Sequence, residues 1–366
     1  MSTRREFIAG GSAVIGTAMA GAAFGAATPK VNRRIVLAER PQGEPTPDDF
    51  RLEEVPIPEL KDGEILLHTV YLSLDPYMRS RMNEAASYAA STGLNEVMVG
   101  GTVSRVVASR NARFKEGDLV NSYSGWQEYQ VSNGMGITSL DPRIPKPSYA
   151  LGVLGMPGLT AYVGTLDLGT PKAGETLAVA AATGAVGSVV GQIAKIKGLR
   201  AVGIAGGPEK CSYAVKELGF DACIDHRDAN MPRLLKEACP KGIDVYFENV
   251  GGAVWDAVLP LLNTHARIPL CGLIAQYNAT SLPAGPDRSS QLMATFLTKQ
   301  IRVTGFIIST YFNRQNAFIA DMSQWMKEGR IKYREDITKG LENAPTAFMG
   351  LFKGSNFGKL LVQVSE

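Results

Sequence analysis

The sequence predicts an α/β protein in two parts: a β-rich first domain, then a doubly wound parallel sheet. Two changes of pattern carry this expectation. From Arg34 to about Met156, short alternating apolar runs are broken by Gly and Pro, the mark of half-buried strands. From about Pro157, wholly apolar runs alternate with helical segments, as in a sheet covered on both faces. A third observation sets off the start of the chain, where an Ala/Gly-rich stretch precedes both patterns. At 366 residues the chain can bury two cores, and 45% apolar with 20% charged residues is ordinary globular composition.

Residues 1–30 read as an export signal. Thr3-Arg4-Arg5-Glu6-Phe7-Ile8 opens a run to Ala27 without a charge after Glu6, and Gly25-Ala26-Ala27 offers small residues for cleavage. Paired arginines before a weakly hydrophobic segment resemble the twin-arginine signal, which directs folded proteins to the periplasm. An uncleaved anchor and a surface helix are the alternatives, together with a cytoplasmic location, although the Ala and Gly content makes membrane insertion weak.

Residues 31–156 form the expected β-rich domain, with strands over Arg34–Leu37, Glu64–Val70, Gly101–Val107, Asp118–Asn121 and Trp126–Val131. Residues 157–311 form the parallel sheet. Its strands are expected over Thr176–Ala182, Arg200–Ile204, Ala222–Ile224, Asp244–Phe247, Ala266–Cys271 and Ile301–Ile307. Residues 312–366 contain a helix, Asn316–Glu328, and a strand, Gly358–Val364, expected to return to and complete the first domain.

The dinucleotide fingerprint lies where strand meets helix. Strand Thr176–Ala182 runs through Thr183-Gly184-Ala185-Val186-Gly187 into the apolar helix Ser188–Lys197, and Ala181 stands where the first fingerprint glycine usually lies. Glycines there admit a pyrophosphate to the backbone, and the helix start offers it unpaired N–H groups. The next strand selects the cofactor. An NAD site would end that strand in a carboxylate for the ribose 2′-hydroxyl, whereas here Ala205-Gly206-Gly207-Pro208-Glu209-Lys210 leaves room for a phosphate and supplies a cation. The cofactor expected is NADPH.

A net charge of +3 makes no case for nucleic acid, so small molecules are the expected partners. The four cysteines, Cys211, Cys223, Cys239 and Cys271, are too few and too scattered for a disulfide framework and read as mostly buried thiols.

Longer motifs carry a family resemblance. Ala180–Lys197, Glu248-Asn249-Val250-Gly251-Gly252 and Cys271-Gly272-Leu273-Ile274-Ala275-Gln276-Tyr277-Asn278 resemble the leukotriene/prostaglandin and curcumin reductase branch of the zinc-independent medium-chain dehydrogenases/reductases. So do Tyr71–Arg79, Ser87-Tyr88, Val97–Val103 and Gly354-Ser355-Asn356-Phe357-Gly358-Lys359, and the resemblance covers nearly everything after Arg34. It implies a GroES-like catalytic domain beside a Rossmann domain, NADPH in the cleft, and a homodimer. Gly184, Ala185, Val186 and Gly187 would face the pyrophosphate and Lys210 the 2′-phosphate. Asn249, Cys271, Gly272, Tyr277, Phe306, Ile307, Ile308 and Asn356 would line the nicotinamide end. One position departs: where the family usually shows a tyrosine, Ile224-Asp225-His226-Arg227 has His226, a further candidate for the phosphate.

The chemistry implied is reduction of the carbon–carbon double bond of enones or enals. The Gly-His-Glu motif and four-cysteine cluster of zinc-dependent relatives are missing; His68 falls in a strand, His226 by the phosphate and His265 in a turn, so no ligand set can be drawn. Hydrogen-bond donors must then polarise the carbonyl. Tyr277 is the first candidate, with Tyr77 and Tyr88 resembling pocket tyrosines of the family, while Met78, Met98 and Phe306 supply an apolar wall. Two other readings stay open on this scaffold: an NADPH quinone reductase, and a non-catalytic NADPH-binding redox sensor.

Overall fold

The computed structural model describes residues 30–84, 87–282 and 285–366, so the export-signal stretch lies outside the described residues apart from Lys30. Along the chain run β1 (Val31–Leu37), β2 (Phe50–Pro56), β3 (Ile65–Ser73), α1 (Met78–Arg81), β4 (Thr102–Ser109), β5 (Leu119–Ser122), β6 (Tyr129–Ser132), β7 (Thr138–Ser139) and α2 (Met156–Val163). Then follow β8 (Thr176–Ala180), α3 (Gly187–Ile196), β9 (Arg200–Ala205), α4 (Pro208–Lys216), β10 (Ala222–Asp225), α5 (Met231–Ala238), β11 (Ile243–Phe247), α6 (Gly252–Val258) and β12 (Leu262–Leu270). The chain ends with α7 (Ser289–Lys299), β13 (Arg302–Gly305), α8 (Gln315–Lys327), β14 (Glu335–Lys339), α9 (Ala344–Phe352) and β15 (Lys359–Gln363).

β3 organises the first domain. Most of its side chains are buried on both faces, because antiparallel partners β4, β6 and β15 flank it. The sheet runs β14-β15-β3-β4-β5-β7, so the last strand of the chain does join the first domain. β1 does not belong to this sheet as a strand: it pairs with β2 and joins the rest through isolated bridges at Arg34–Gln127 and Val36–Val97 and through its side chains, as where Asn32 Oδ1 accepts from Tyr129 N at 2.8 Å. The core beneath holds Ile35, Leu37, Met78 and Met98, with Trp126 stacked on Phe50 at 5.6 Å and edge-on to Phe348.

The second sheet is parallel throughout, in the order β10-β9-β8-β11-β12-β13. Each face has its own core: Val179, Val189, Ile193 and Phe247 lie in one, Ala180, Ile204, Leu235 and Ile268 in the other. Switching the order at β8 and β11 opens a crevice at their carboxyl ends, where doubly wound sheets bind ligands.

Several expectations are corrected. Of the segment 312–366, only β14, β15 and α9 serve the first domain; Phe318, Met322 and Trp325 of α8 instead bury against the parallel sheet and α2, since that helix's apolar face matches the open side of that core. His265 lies within β12 rather than in a turn, at φ 65°, where the pairing with β11 skips from Leu262 to Arg267. Only Cys239 among the four thiols is fully buried; Cys211 in α4, Cys223 in β10 and Cys271 just after β12 keep partial exposure. Among the described residues no helix is long and apolar enough to cross a membrane.

Candidate active site

The turn after β8 is built for close approach. Ala181 takes a left-handed conformation at φ 53°, which glycine adopts freely and other residues only under tertiary constraint. A Cβ on Gly187 would lie 2.3 Å from the Ala181 carbonyl oxygen, so only glycine lets α3 start this close to the strand. A Cβ on Gly184 would meet the same carbonyl oxygen at 3.3 Å, a tight contact that favours glycine there too. No side chain caps α3, and Asn249 Nδ2 braces the turn from below by donating to Ala180 O at 2.9 Å. Gly184, Ala185, Val186 and Gly187 are thus together at a surface fitted to a pyrophosphate.

Next to it, cations surround the end of β9. A Cβ on Gly206 would stand 2.9 Å from His226 Nε2 and 3.3 Å from Arg227 Nε and Nη2, placing both side chains directly over the paired glycines. Asp225, the nearby acid, is turned to backbone: its Oδ1 accepts from Gly207 N at 2.9 Å and Arg227 N at 3.0 Å. Lys210 Nζ donates to Gly354 O at 2.7 Å and Asn356 O at 2.6 Å, tying α4 to the C-terminal segment. Burial, with the Arg227 charge, holds the Lys210 ammonium below its ordinary value; burial and then Arg227 do the same to His226. This concentration of positive charge fits a phosphate. Arg227 carries no motif of its own; its signal in the sequence is a guanidinium two residues beyond the end of β10, on the strand next to Gly206-Gly207.

The other end of the crevice is a cleft of about 460 Å³ walled by Cys271, Gly272, Leu273 and Tyr277 after β12 and by Phe306, Ile307, Thr310 and Tyr311 after β13. Ile308 begins the turn of helix behind that wall. Tyr277 follows a short helical turn rather than ending the strand, and its Oη accepts from Leu273 N at 3.3 Å and lies against Gly272. Burial raises the Tyr277 phenol and pushes the Cys271 thiol up to about 12, so both keep their protons near neutrality. Buried Glu248 shapes the wall: one carboxylate oxygen accepts from Tyr246, Val250 N at 2.6 Å and Gly251 N at 3.0 Å. Asn356 stands apart from this cleft, on the Lys210 side, with its Nδ2 donating to Gly358 O.

The first domain supplies the facing wall. Buried Lys359 donates to Leu74 O at 2.8 Å and Asp75 Oδ1 at 2.9 Å, pinning the last strand beneath the Asp75-Pro76-Tyr77 entry to α1. Arg79 crosses between domains, donating to Asn278 Oδ1 at 3.0 Å and Gly43 O at 2.8 Å. Tyr77 Oη and Tyr123 Oη stand 2.5 Å apart, and the Arg81 guanidinium lies 5.9 Å from the Tyr77 ring and 5.1 Å from that of Tyr88. Arg81 thus joins the Tyr77 and Tyr88 rings, and the bond from Arg79 to Asn278 brings this wall to the turn that carries Tyr277. Among the described residues no three His, Cys, Asp or Glu side chains gather where they could hold a metal ion.

Comparison with known proteins matches this geometry. Residues 33–140 fit the family model described as the N-terminal domain of oxidoreductase, and residues 185–328 that described as zinc-binding dehydrogenase. The NADPH-dependent curcumin reductase of Escherichia coli (strain K12) is 58% identical over 335 residues, 91% of this chain and 97% of that protein. This chain belongs to the curcumin and prostaglandin reductase branch of the medium-chain dehydrogenases/reductases. A further relative in this branch, prostaglandin reductase 1 of Bos taurus, is 43% identical over 88% of this chain and 95% of its own. The crystal structure of CurA from Vibrio vulnificus in complex with NADPH superposes with a TM-score of 0.89 at 60% identity, over 91% of this chain and 99% of that one. The medium-chain reductase fold therefore accounts for both sheets and the crevice between them.

Proposed function

We propose that this medium-chain reductase reduces the carbon–carbon double bond of α,β-unsaturated ketones and aldehydes with NADPH. The observation that carries this reading is the crevice itself, with a glycine cradle and cations at one end and phenols around an apolar cleft at the other. The names of the relatives, a curcumin reductase and a prostaglandin reductase, support the substrate class. Gly184–Gly187 would hold the pyrophosphate and Arg227, His226 and Lys210 the 2′-phosphate; NADPH, so held, supplies the hydride. Phe306 and Ile307 give the cleft an apolar wall. Tyr277, protonated and at the wall, donates a hydrogen bond to the substrate oxygen as negative charge develops on it. Following NADPH oxidation over enones, enals and quinones, with product analysis, tests the reading. Saturated ketones are the expected products; turnover of quinones alone would place the chain with quinone reductases.

We also propose that the chain is exported and that it acts as a homodimer. The paired Arg4-Arg5 and the charge-free run to Ala27 support export of a folded protein to the periplasm, with the cofactor carried inside. Changing both arginines to lysine should retain the chain in the cytoplasm. A wild-type chain recovered at full length from the cytosol alone would end that proposal and leave the reductase reading intact. The edge strand β13, exposed along most of its length, supports the dimer.

A further inference from the structure

Tyr123 is absent from every motif of the site, yet it is built into it. It follows β5 directly, leaves 55% of its surface exposed, and meets Tyr77, 46 residues earlier, through the 2.5 Å contact between their hydroxyls. One proton lies between two such oxygens, so one phenol donates and the other keeps a free O–H. Which is which follows from depth. Tyr77 is the more enclosed, half-buried where Tyr123 is mostly exposed. With Tyr77 donating, the O–H of the more exposed Tyr123 is left to face outward; accepting one hydrogen bond makes a hydroxyl a better donor in turn. Its neighbours fix where it points. Tyr77 shares the Arg81 guanidinium with Tyr88 and lies two residues before Arg79, whose bond to Asn278 sets α1 beside the turn that carries Tyr277, so Tyr123 stands on the first-domain side of the cleft.

We propose that Tyr123, oriented by Tyr77, is a specificity residue that donates a hydrogen bond to a second oxygen of the substrate, remote from the double bond being reduced. The ligand class is an extended enone with an ether, carbonyl or hydroxyl oxygen at its far end. This rests on the reductase reading, deepening it from reaction to substrate shape. Arg81, over the Tyr77 and Tyr88 rings, keeps the group in place, its Nη1 donating to Ala90 O at 2.7 Å.

The test compares two probes of one shape, 4-(4-methoxyphenyl)but-3-en-2-one and its 4-ethylphenyl counterpart, which differ only in an oxygen that accepts. For each enzyme the quantity read is the methoxy-to-ethyl ratio of kcat/KM, so electronic effects on the hydride step cancel between wild type and variant. Tyr123→Phe should lower that ratio about fivefold, the worth of one neutral hydrogen bond, and through KM rather than kcat. Tyr77→Phe, which frees the direction of the Tyr123 hydroxyl, should lower it by less. The saturated ketones of the same pair, titrated calorimetrically into the protein with NADP+, should show the same oxygen preference without any turnover. A ratio unchanged in Tyr123→Phe, or a wild type that binds methoxy and ethyl ketones equally, overturns the proposal. Oxygen-dependent binding in a protein that reduces neither enone would keep the subsite and overturn the reductase reading instead.

Discussion

His226, set over the paired glycines, changes how the phosphate end responds to pH. Burial and the Arg227 charge hold free His226 below the ordinary imidazole value, so near neutrality it is uncharged and contributes at most a neutral hydrogen bond. A dianionic 2′-phosphate beside it would favour the charged form and raise its pKa in the complex. The sign follows from linkage: the extra affinity is absent above the bound-state pKa, grows as pH falls through it, and is complete only below the depressed free-state pKa. The gain therefore begins at the bound-state pKa and is complete only on the acid side of about 6.5, where free His226 too is protonated. Between pH 8 and 5 the NADPH affinity of wild type, divided by that of His226→Phe, should grow about tenfold, as one charge-assisted contact implies. Taking the ratio cancels the titration of the phosphate itself. A ratio flat across that range would show that His226 stays away from the phosphate.

At the scale of elements, legibility followed burial. β8, β9, β11 and α3 are apolar because helices cover both faces of their sheet, so composition alone outlined them and the fingerprint between them. β2 and β14 escaped notice because their side chains are largely exposed and charged, Arg51, Glu53 and Glu54 in one and Glu335, Asp336 and Lys339 in the other; backbone pairing decides such strands, not an apolar pattern. The same contrast runs through the site. Gly184 and Gly187 announce themselves by their place between strand and helix. Tyr123 does not, since its meaning comes from contact with a residue 46 positions away, and no local pattern encodes such a pairing. Arg227 and Asn356 needed the fold as well: one points over glycines of the preceding strand, and the other gives its carbonyl to Lys210 across 146 residues.

For the whole molecule, the parallel sheet is finished at one side and unfinished at the other. β13 ends it with most of its side chains exposed, and α7 beside it buries none of its residues, leaving Met293 64% and Leu297 78% exposed next to half-covered Val303. An uncovered strand edge flanked by apolar side chains invites pairing with another chain unless charge or a bulge blunts it. Arg302 is the one charge on this strand, and it is turned aside, donating to Leu168 O at 2.8 Å and to Thr170. A second copy related by a two-fold axis would lay β13 antiparallel to β13 and α7 against α7, closing both faults with one self-complementary surface. The proposed homodimer thus predicts twice the chain mass by light scattering at micromolar concentration. Charging the surface with Met293→Glu, Leu297→Glu and Val303→Lys together should give a monomer that still folds, as judged by circular dichroism, because all three side chains are exposed in the single chain. A wild type that scatters as a monomer, or a triple variant that remains a dimer, would place any assembly of this protein elsewhere than at this edge.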